Sequence, residues 1–292
     1  MNNLTIVTPV YNRTYCIRKL FDSLCRQTTS QFAWMIIDDG STDNLEEMVA
    51  SFRAEFNIVY KKKVNGGKCS ALNCAIVQCT TELFLVVDSD DYLKEDAVQK
   101  IYDNWKKVQS DESVIGVIGN RVFENGKLSG KEFPQNIESI TMNELNYHYH
   151  HHGETALIFR TTILKQNLFP EYEGERFLSE EIQYNELDKC GRLAILREPI
   201  IVMEYLEDGL TANFFNNWMK NPKGTKHLLQ SRYAHTEGLV FVDIVMKRLK
   251  TILLYDVLCL KNSSFSMKES PCPVVGWICL PVAWVVKQLK YK

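Results

Sequence analysis

The chain has 292 residues, 45% of them hydrophobic and 24% charged, which supports one large domain, or one domain plus an appendage, and excludes a disordered or fibrous protein. Its net charge of −2 is uneven: residues 217–292 hold 12 Lys/Arg against 4 Asp/Glu, a net of +8 that leaves −10 for the rest. A basic tail on an acidic body implies an anionic partner, and with no nucleic-acid-binding motif in the tail, phospholipid is the better candidate.

The N-terminus enters a strand at once, with no basic n-region or signal-peptide core, so the body is expected in the cytosol. Leu4 to Thr8 reads as that strand. Ile17, Leu20, Phe21 and Leu24 then recur at helical spacing, and Trp34 to Ile37 is a second strand. Leu45, Met48, Val49 and Phe52 mark one face of the next helix, with Asp43 and Glu46 as a capping box. Ile58 to Tyr60 is a short strand. Ala71, Leu72, Ala75, Ile76 and Cys79 form another helical stripe, followed by the strand Leu83 to Val87. This βαβα order predicts an α/β protein with a mostly parallel sheet covered by helices on both faces.

After about Val108 the pattern is irregular. Val114–Ile118, Ala156–Phe159, Leu193–Leu196 and Ile200–Met203 read as strands between long polar loops. From about Thr211 the chain is helical. The apolar stripe of Phe241, Ile244, Val245, Leu249, Ile252 and Leu253 is interrupted by Asp243, Lys247, Arg248 and Lys250, which make it a surface or docking helix and not a membrane span. Cys272 to Val286 carries no charge over 15 residues, includes Trp277 and Trp284, and is followed by Lys287, Lys290 and Lys292. Too short for a confident span, it suits an interfacial segment on anionic lipid. Packing on the protein's own core or on a second subunit, as in a homo-oligomer, is the competing reading. The nine cysteines have no C-x-x-C spacing, and Cys25, Cys74 and Cys79 fall in apolar patterns, as reduced core residues do.

The chemistry lies where the strands end. Asp88-Ser89-Asp90-Asp91 follows an apolar strand directly, and three carboxylates there repel one another unless a cation or donors neutralise them. Hard oxygen ligands favour Mg2+ or Mn2+, held by one or two carboxylates plus substrate phosphates. Three more loops sit at carboxyl ends of strands. Thr8-Pro9-Val10-Tyr11-Asn12-Arg13 offers an aromatic ring and polar groups to a base or ribose. Asp38-Asp39-Gly40-Ser41-Thr42-Asp43 puts carboxylates beside a glycine turn. Asn65-Gly66-Gly67-Lys68 opens a helix whose N-terminus and lysine suit a phosphate or the base. No G-x-G-x-x-G follows the first strand, and Gly67-Lys68 lacks both the Walker spacing and its Ser or Thr, so a nicotinamide dehydrogenase and a P-loop enzyme are excluded. His148, His150, His151 and His152 do not form a zinc site, because adjacent histidines cannot all converge on one ion, and they read as an exposed loop.

In this order, Thr-Pro-Val-Tyr-Asn, Asp-Asp-Gly-Ser-Thr-Asp, Asn-Gly-Gly-Lys and Asp-Ser-Asp-Asp resemble family 2 glycosyltransferases of the GT-A fold, over roughly the first 105 residues. The resemblance implies inverting transfer of a sugar from a nucleoside diphosphate, UDP by family habit, with Mn2+ or Mg2+. Thr8, Pro9, Tyr11, Asn12 and Asp39 would hold the nucleoside, with Gly67 and Lys68 near the base or diphosphate. Asp88 and Ser89 would face the ribose. Asp90 would hold the metal, with Asp88 and Asp91 sharing in that site. The Ser179-Glu180-Glu181 run matches the family's acidic pair, and Glu181 is the expected base, its pKa lifted by partial burial. Gly153-Glu154-Thr155, Gly174-Glu175-Arg176-Phe177 and Tyr205-Leu206-Glu207-Asp208-Gly209-Leu210-Thr211 resemble bacterial capsule and surface-polysaccharide transferases. They are expected to shape the acceptor site, with Asp208 approaching the metal. The implied acceptor is a polysaccharide or lipid-linked glycan at the inner face of the membrane. The expected organisation is a GT-A domain over 1–210, with a nucleotide-sugar half (1–108) and an acceptor half (109–210), and a helical region over 211–292. A non-catalytic member that binds nucleotide-sugar or glycan in a synthesis complex is the alternative. A sugar nucleotidyltransferase is disfavoured by the lack of a glycine-rich N-terminal phosphate loop.

Overall fold

The hydrophobic periods of the first half become β1 (Leu4–Val10), α1 (Thr14–Cys25), β2 (Phe32–Asp38), α2 (Leu45–Ser51), β3 (Asn57–Lys62), α3 (Lys68–Gln78) and β4 (Leu83–Val86) in the computed structural model, which describes residues 3–204 and 214–290. β1 pairs in parallel with β2 and β4, and β2 with β3. Each helix carries the chain back across the sheet, so successive strands start from the same edge. The expected faces are buried: Ile17, Leu20, Phe21 and Leu24 of α1, and Ala71, Leu72, Ala75 and Ile76 of α3. Side chains alternate along β1, so Leu4, Ile6 and Val10 join the core beneath α1 and α2, while Val7 joins the core beneath α3.

The capping box is not formed. Asp43 Oδ2 instead accepts from the backbone N–H of Thr14, the first residue of α1, where an unpaired amide and the helix dipole both favour a carboxylate.

The second half adds β5 (Tyr92–Leu93), α4 (Ala97–Val108), β6 (Val114–Phe123), β7 (Ser139–Ile140), β8 (Thr155–Arg160), α5 (Thr161–Gln166), α6 (Glu181–Leu187) and β9 (Arg192–Met203). The sheet order is β3-β2-β1-β4-β8-β6-β9-β5, with β7 also on β9. β8 runs antiparallel to both β4 and β6, so the start of β8 and the end of β6 lie at the edge where β1 to β4 finish. The two strands expected at 193–196 and 200–203 are one. Between them β9 bulges, its pairing jumping from Gly119↔Leu196 to Arg121↔Ile201, which accommodates Pro199 without a broken ladder bond. β5 and β7 hold two residues each, too short for any periodic signal.

α7 (Phe214–Lys220), α8 (Pro222–Ala234), α9 (Phe241–Cys259) and α10 (Pro273–Lys290) follow. Among the described residues no helix is long and apolar enough to cross a membrane. Phe241 and Val242 on α9 are exposed, but Lys247 is not the surface charge expected: its side chain is buried. All nine cysteines are free thiols.

Asp256 on α9 is fully buried, and neither carboxylate oxygen has a hydrogen-bond partner in the protein. Burial pushes its pKa up to about 6. An acid whose folded pKa exceeds its unfolded value opposes folding above the folded pKa, and that penalty fades as pH falls from about 6 toward 4. Asp256→Asn should therefore stabilise the protein at pH 7.5 by about 2 kcal/mol and by little at pH 4. Thermal melts at the two pH values check this, and equal shifts at both would refute it.

Candidate active site

Four strand ends bring the predicted loops together, and the loops are tied to one another. Asn12, held at φ 53°, donates its backbone N–H to Ser41 Oγ at 3.0 Å and accepts from the Thr42 N–H at 2.8 Å. The left-handed conformation suits asparagine better than most residues. Asp38 accepts from Tyr60 Oη and the Ser41 N–H, each at 2.6 Å. Asp39 accepts from the N–H groups of Gly66 and Gly67 at 2.9 and 2.7 Å and from Lys63 Nζ at 2.9 Å.

Two nucleoside expectations change here. The Thr8 side chain is buried, and its hydroxyl accepts from Trp34 Nε1 at 2.9 Å, so Thr8 shapes the strand end from within. Asp39 is also buried and spends its lone pairs on the third loop. Tyr11 is the open member of the set, 49% exposed, beside partly exposed Pro9. Gly67 sits at φ +89°, and a Cβ there would lie 1.7 Å from the carbonyl oxygen of Arg176, so only glycine lets these two segments touch.

The acidic turn divides its carboxylates among different partners. Lys68, the first residue of α3, reaches Asp88 Oδ1 at 2.8 Å and Glu180 Oε1 at 2.9 Å. Burial alone would lower the Lys68 ammonium, but the two carboxylates hold it well above its usual value. Burial likewise opposes ionisation of Asp88, and Lys68 and Arg121 more than compensate, leaving its pKa lowered. Asp91 is buried and pairs with Arg121 Nη1 at 2.6 Å, with Glu154 3.5 Å from the same nitrogen. Burial pushes Asp91 up to about 7, with Arg121 opposing and the neighbouring carboxylates adding to the rise. The Asp91 carboxylate, expected to share the metal, is thus engaged by Arg121. Ser89 is buried beside Cys16, 3.9 Å from Sγ to Oγ.

Asp90 differs from both neighbours. Among the described residues no basic side chain pairs with it, and burial, with the Asp88 charge, raises its pKa. Among the described residues no group of three or more His, Cys, Asp or Glu is arranged to hold an ion. An unpaired, half-buried carboxylate next to Asp88 nevertheless fits Mg2+ or Mn2+, which needs one or two carboxylates when phosphates supply the remaining oxygens.

The glutamate pair also splits. Glu180 lines a small cavity in which Lys68, Asp88, Arg121 and Tyr184 meet apolar side chains, among them Leu72 and Phe84. Glu181, the expected base, turns the other way, where Arg232 Nε and Nη2 grip its two oxygens at 2.7 and 2.5 Å. Burial would raise the Glu181 pKa, but Arg232 outweighs it and the net shift is downward, opposite to the expectation.

Arg121 and Arg232 escaped the sequence reading. Arg121 had a signal, a lone charge inside the apolar run Val114–Phe123. Arg232 had none, since α8 carries no marked apolar stripe and reads as a polar helix. The histidine loop is not uniformly exposed: His151 is buried, stacked on Phe133 at 5.7 Å, with Nε2 3.2 Å from Asn120 Oδ1. Glu175 accepts from the N–H groups of Lys223 and Gly224 and so joins its loop to the start of α8. The stretch Tyr205 to Thr211, with Asp208, lies outside the described residues.

Comparison with known proteins bears on the family and the fold. The chain is 30% identical over 180 residues to the poly(ribitol-phosphate) beta-N-acetylglucosaminyltransferase TarS of Staphylococcus aureus, covering 59% of this chain and 30% of that one. The chain spans less than a third of the length of the first curated relatives it matches. The crystal structure of S. aureus TarS 1-349 with UDP-GlcNAc superposes with a TM-score of 0.57 at 18% identity, covering 91% of this chain and 82% of that one. The mannosyltransferase PcManGT of Pyrobaculum calidifontis, solved with GDP-Man and Mn2+, gives a TM-score of 0.55 at 17% identity over 99% of this chain and 81% of that one. These neighbours share the GT-A architecture read from the loops. The profile of glycosyl transferase family 2 matches residues 5–169, more than half of the sequence, and the chain belongs to that family.

Proposed function

We propose that the protein is an inverting, divalent-metal-dependent glycosyltransferase that moves a sugar from a UDP donor to a hydroxyl of a polysaccharide or lipid-linked glycan. The observation that carries this is Lys68, whose ammonium joins Asp88, at the diphosphate end, to Glu180, at the acceptor end, within 2.9 Å on each side. One cavity thus holds a donor-side anion, a cation and a candidate base. The nucleotide-sugar reading draws support from TarS, solved with UDP-GlcNAc, and the metal from PcManGT, solved with Mn2+.

In this reading residues 1–210 are catalytic and 211–292 an extension. Tyr11, with Pro9 and Asn12, lines the nucleoside side. The N-terminus of α3 and Lys68 favour the diphosphate. Asp90, with Asp88, would hold the ion, which when bound would stabilise charge on the departing diphosphate as a Lewis acid. Glu180 takes the proton of the acceptor hydroxyl, and that oxygen bonds to the anomeric carbon from the face opposite the diphosphate. The bond to the diphosphate breaks, and its electrons leave with the nucleotide. Glu181 is assigned a structural role.

A panel of sugar nucleotides incubated with the full chain and Mn2+, read as nucleotide release, tests the reading. Release from a UDP-sugar that stops on chelation is expected. Nucleotide binding without any release would move the protein to the non-catalytic alternative.

The extension is assigned to an anionic membrane surface. On α10, Trp277, Ile278 and Trp284 are 60%, 72% and 55% exposed, and Lys287 and Lys290 lie in its last turn. Tryptophan beside lysine is the composition of an interfacial helix. Deleting residues 271–292 should abolish co-sedimentation with vesicles containing phosphatidylglycerol; retained binding would refute the assignment.

A further inference from the structure

The two adjacent glutamates are one residue apart, and their carboxylates leave in opposite directions. Glu180 points to Lys68, and Glu181 to Arg232 on α8. The Glu180 carbonyl also accepts the N–H groups of Gln183 and Tyr184, so its backbone is part of the first turn of α6. Whatever fixes that turn fixes the root of the Glu180 side chain.

That turn is held in part from outside the sheet domain. Arg232 grips Glu181 through two nitrogens, a geometry that sets direction as well as distance. Its guanidinium lies 5.7 Å from the Trp218 ring of α7, and Tyr147 Oη approaches the same carboxylate at 3.4 Å. Behind Tyr147, the buried Lys247 of α9 donates to Asn143 Oδ1 at 2.6 Å and to the His235 carbonyl at 2.7 Å. The far end of α6 is pinned by the same group of residues: Asp188 accepts from the N–H groups of Met142 and Asn143 and lies 3.3 Å from His235 Nε2. A seven-residue helix has little stability of its own, so tertiary contacts set its position: Ile182 and Leu187 pack in the core on the sheet, Gln183 Nε2 donates to the Asn167 carbonyl, and Arg232 of α8 holds the first turn.

We propose that Arg232 is a positioning residue, whose two-point hold on Glu181 aims Glu180 into the cavity, so that the C-terminal helices complete the active site rather than append to it. This rests on Glu180 being the base. α8, like Glu180 and Glu181 themselves, lies beyond residue 169, where the match to the family profile ends.

The test uses the full chain with Arg232→Met, Arg232→Lys and the double variant Glu181→Leu/Arg232→Met. Amide hydrogen exchange of Gln183 and Tyr184 should quicken about tenfold or more in Arg232→Met, with β1 to β4 unchanged and Arg232→Lys intermediate. Exchange that stays at the wild-type rate, or that rises only together with the whole domain, would overturn the proposal. The double variant removes the buried charge along with its partner and should recover the wild-type melting temperature. With manganese and UDP-N-acetylglucosamine as the probe, its UDP release should still have a kcat reduced about tenfold and a donor KM within about twofold of wild type. Full recovery of kcat in the double variant would reduce Arg232 to a structural residue. The base assignment fails separately: normal turnover by Glu180→Gln would remove it while leaving the exchange result standing.

Discussion

Asp90→Ala is expected to cut sugar transfer about 10³-fold, the equivalent of the several kcal/mol that a bound ion contributes at a departing diphosphate. The fold should not suffer. Among the described residues Asp90 has no basic partner, and its pKa is raised by burial and by Asp88, so its charge is a cost to the free protein. Removing it should leave the melting temperature unchanged or raise it slightly, as expected where function is maintained against local repulsion. The paired measurements are metal-supported nucleotide release and a thermal melt without metal. Turnover near the wild-type level would show that Asp90 is not the metal ligand, and a large fall in melting temperature would show that it is structural.

The second large effect separates the glutamates. Glu180→Gln keeps the size of the side chain, removes the base and leaves Lys68 its partner in Asp88. Transfer should fall about 10²- to 10⁴-fold, the range for loss of a general base. Glu181→Gln should act mainly on stability, by about 1–3 kcal/mol, because it leaves the Arg232 guanidinium facing a neutral group in a mostly buried setting. Its turnover should fall less than that of Glu180→Gln. Rates and melts of the two variants side by side decide the matter. A dead Glu181→Gln beside an active Glu180→Gln would restore the base to Glu181.

Most of the α/β half was legible because its periods are local. α1 and α3 bury the residues that their helical spacing selects, and the strands between them are apolar runs of ordinary length. The four loops could be named for the same reason: in a parallel sheet the carboxyl ends of successive strands share one edge. What the loops do with their side chains was less legible. Asp43 looked like a cap for the helix that follows it, yet it serves the start of α1 across the loop. Thr8 and Asp39 looked like ligand contacts, yet a buried indole and two glycine amides use them first. A short-range pattern cannot reveal a competing partner that lies tens of residues away.

The sequence by itself determined the family, the sheet edge that carries the site and the presence of an acidic turn, since each rests on residues close together in the chain. The tertiary structure decided the role of each charge. Arg121 lies 30 residues from Asp91, Glu180 is 112 residues from Lys68, and Arg232 comes from a helix beyond the sheet. Whether a carboxylate is neutralised, held for a metal or left able to take a proton depends on the nearest opposite charge and on exposure to water. Both are set by packing across the fold.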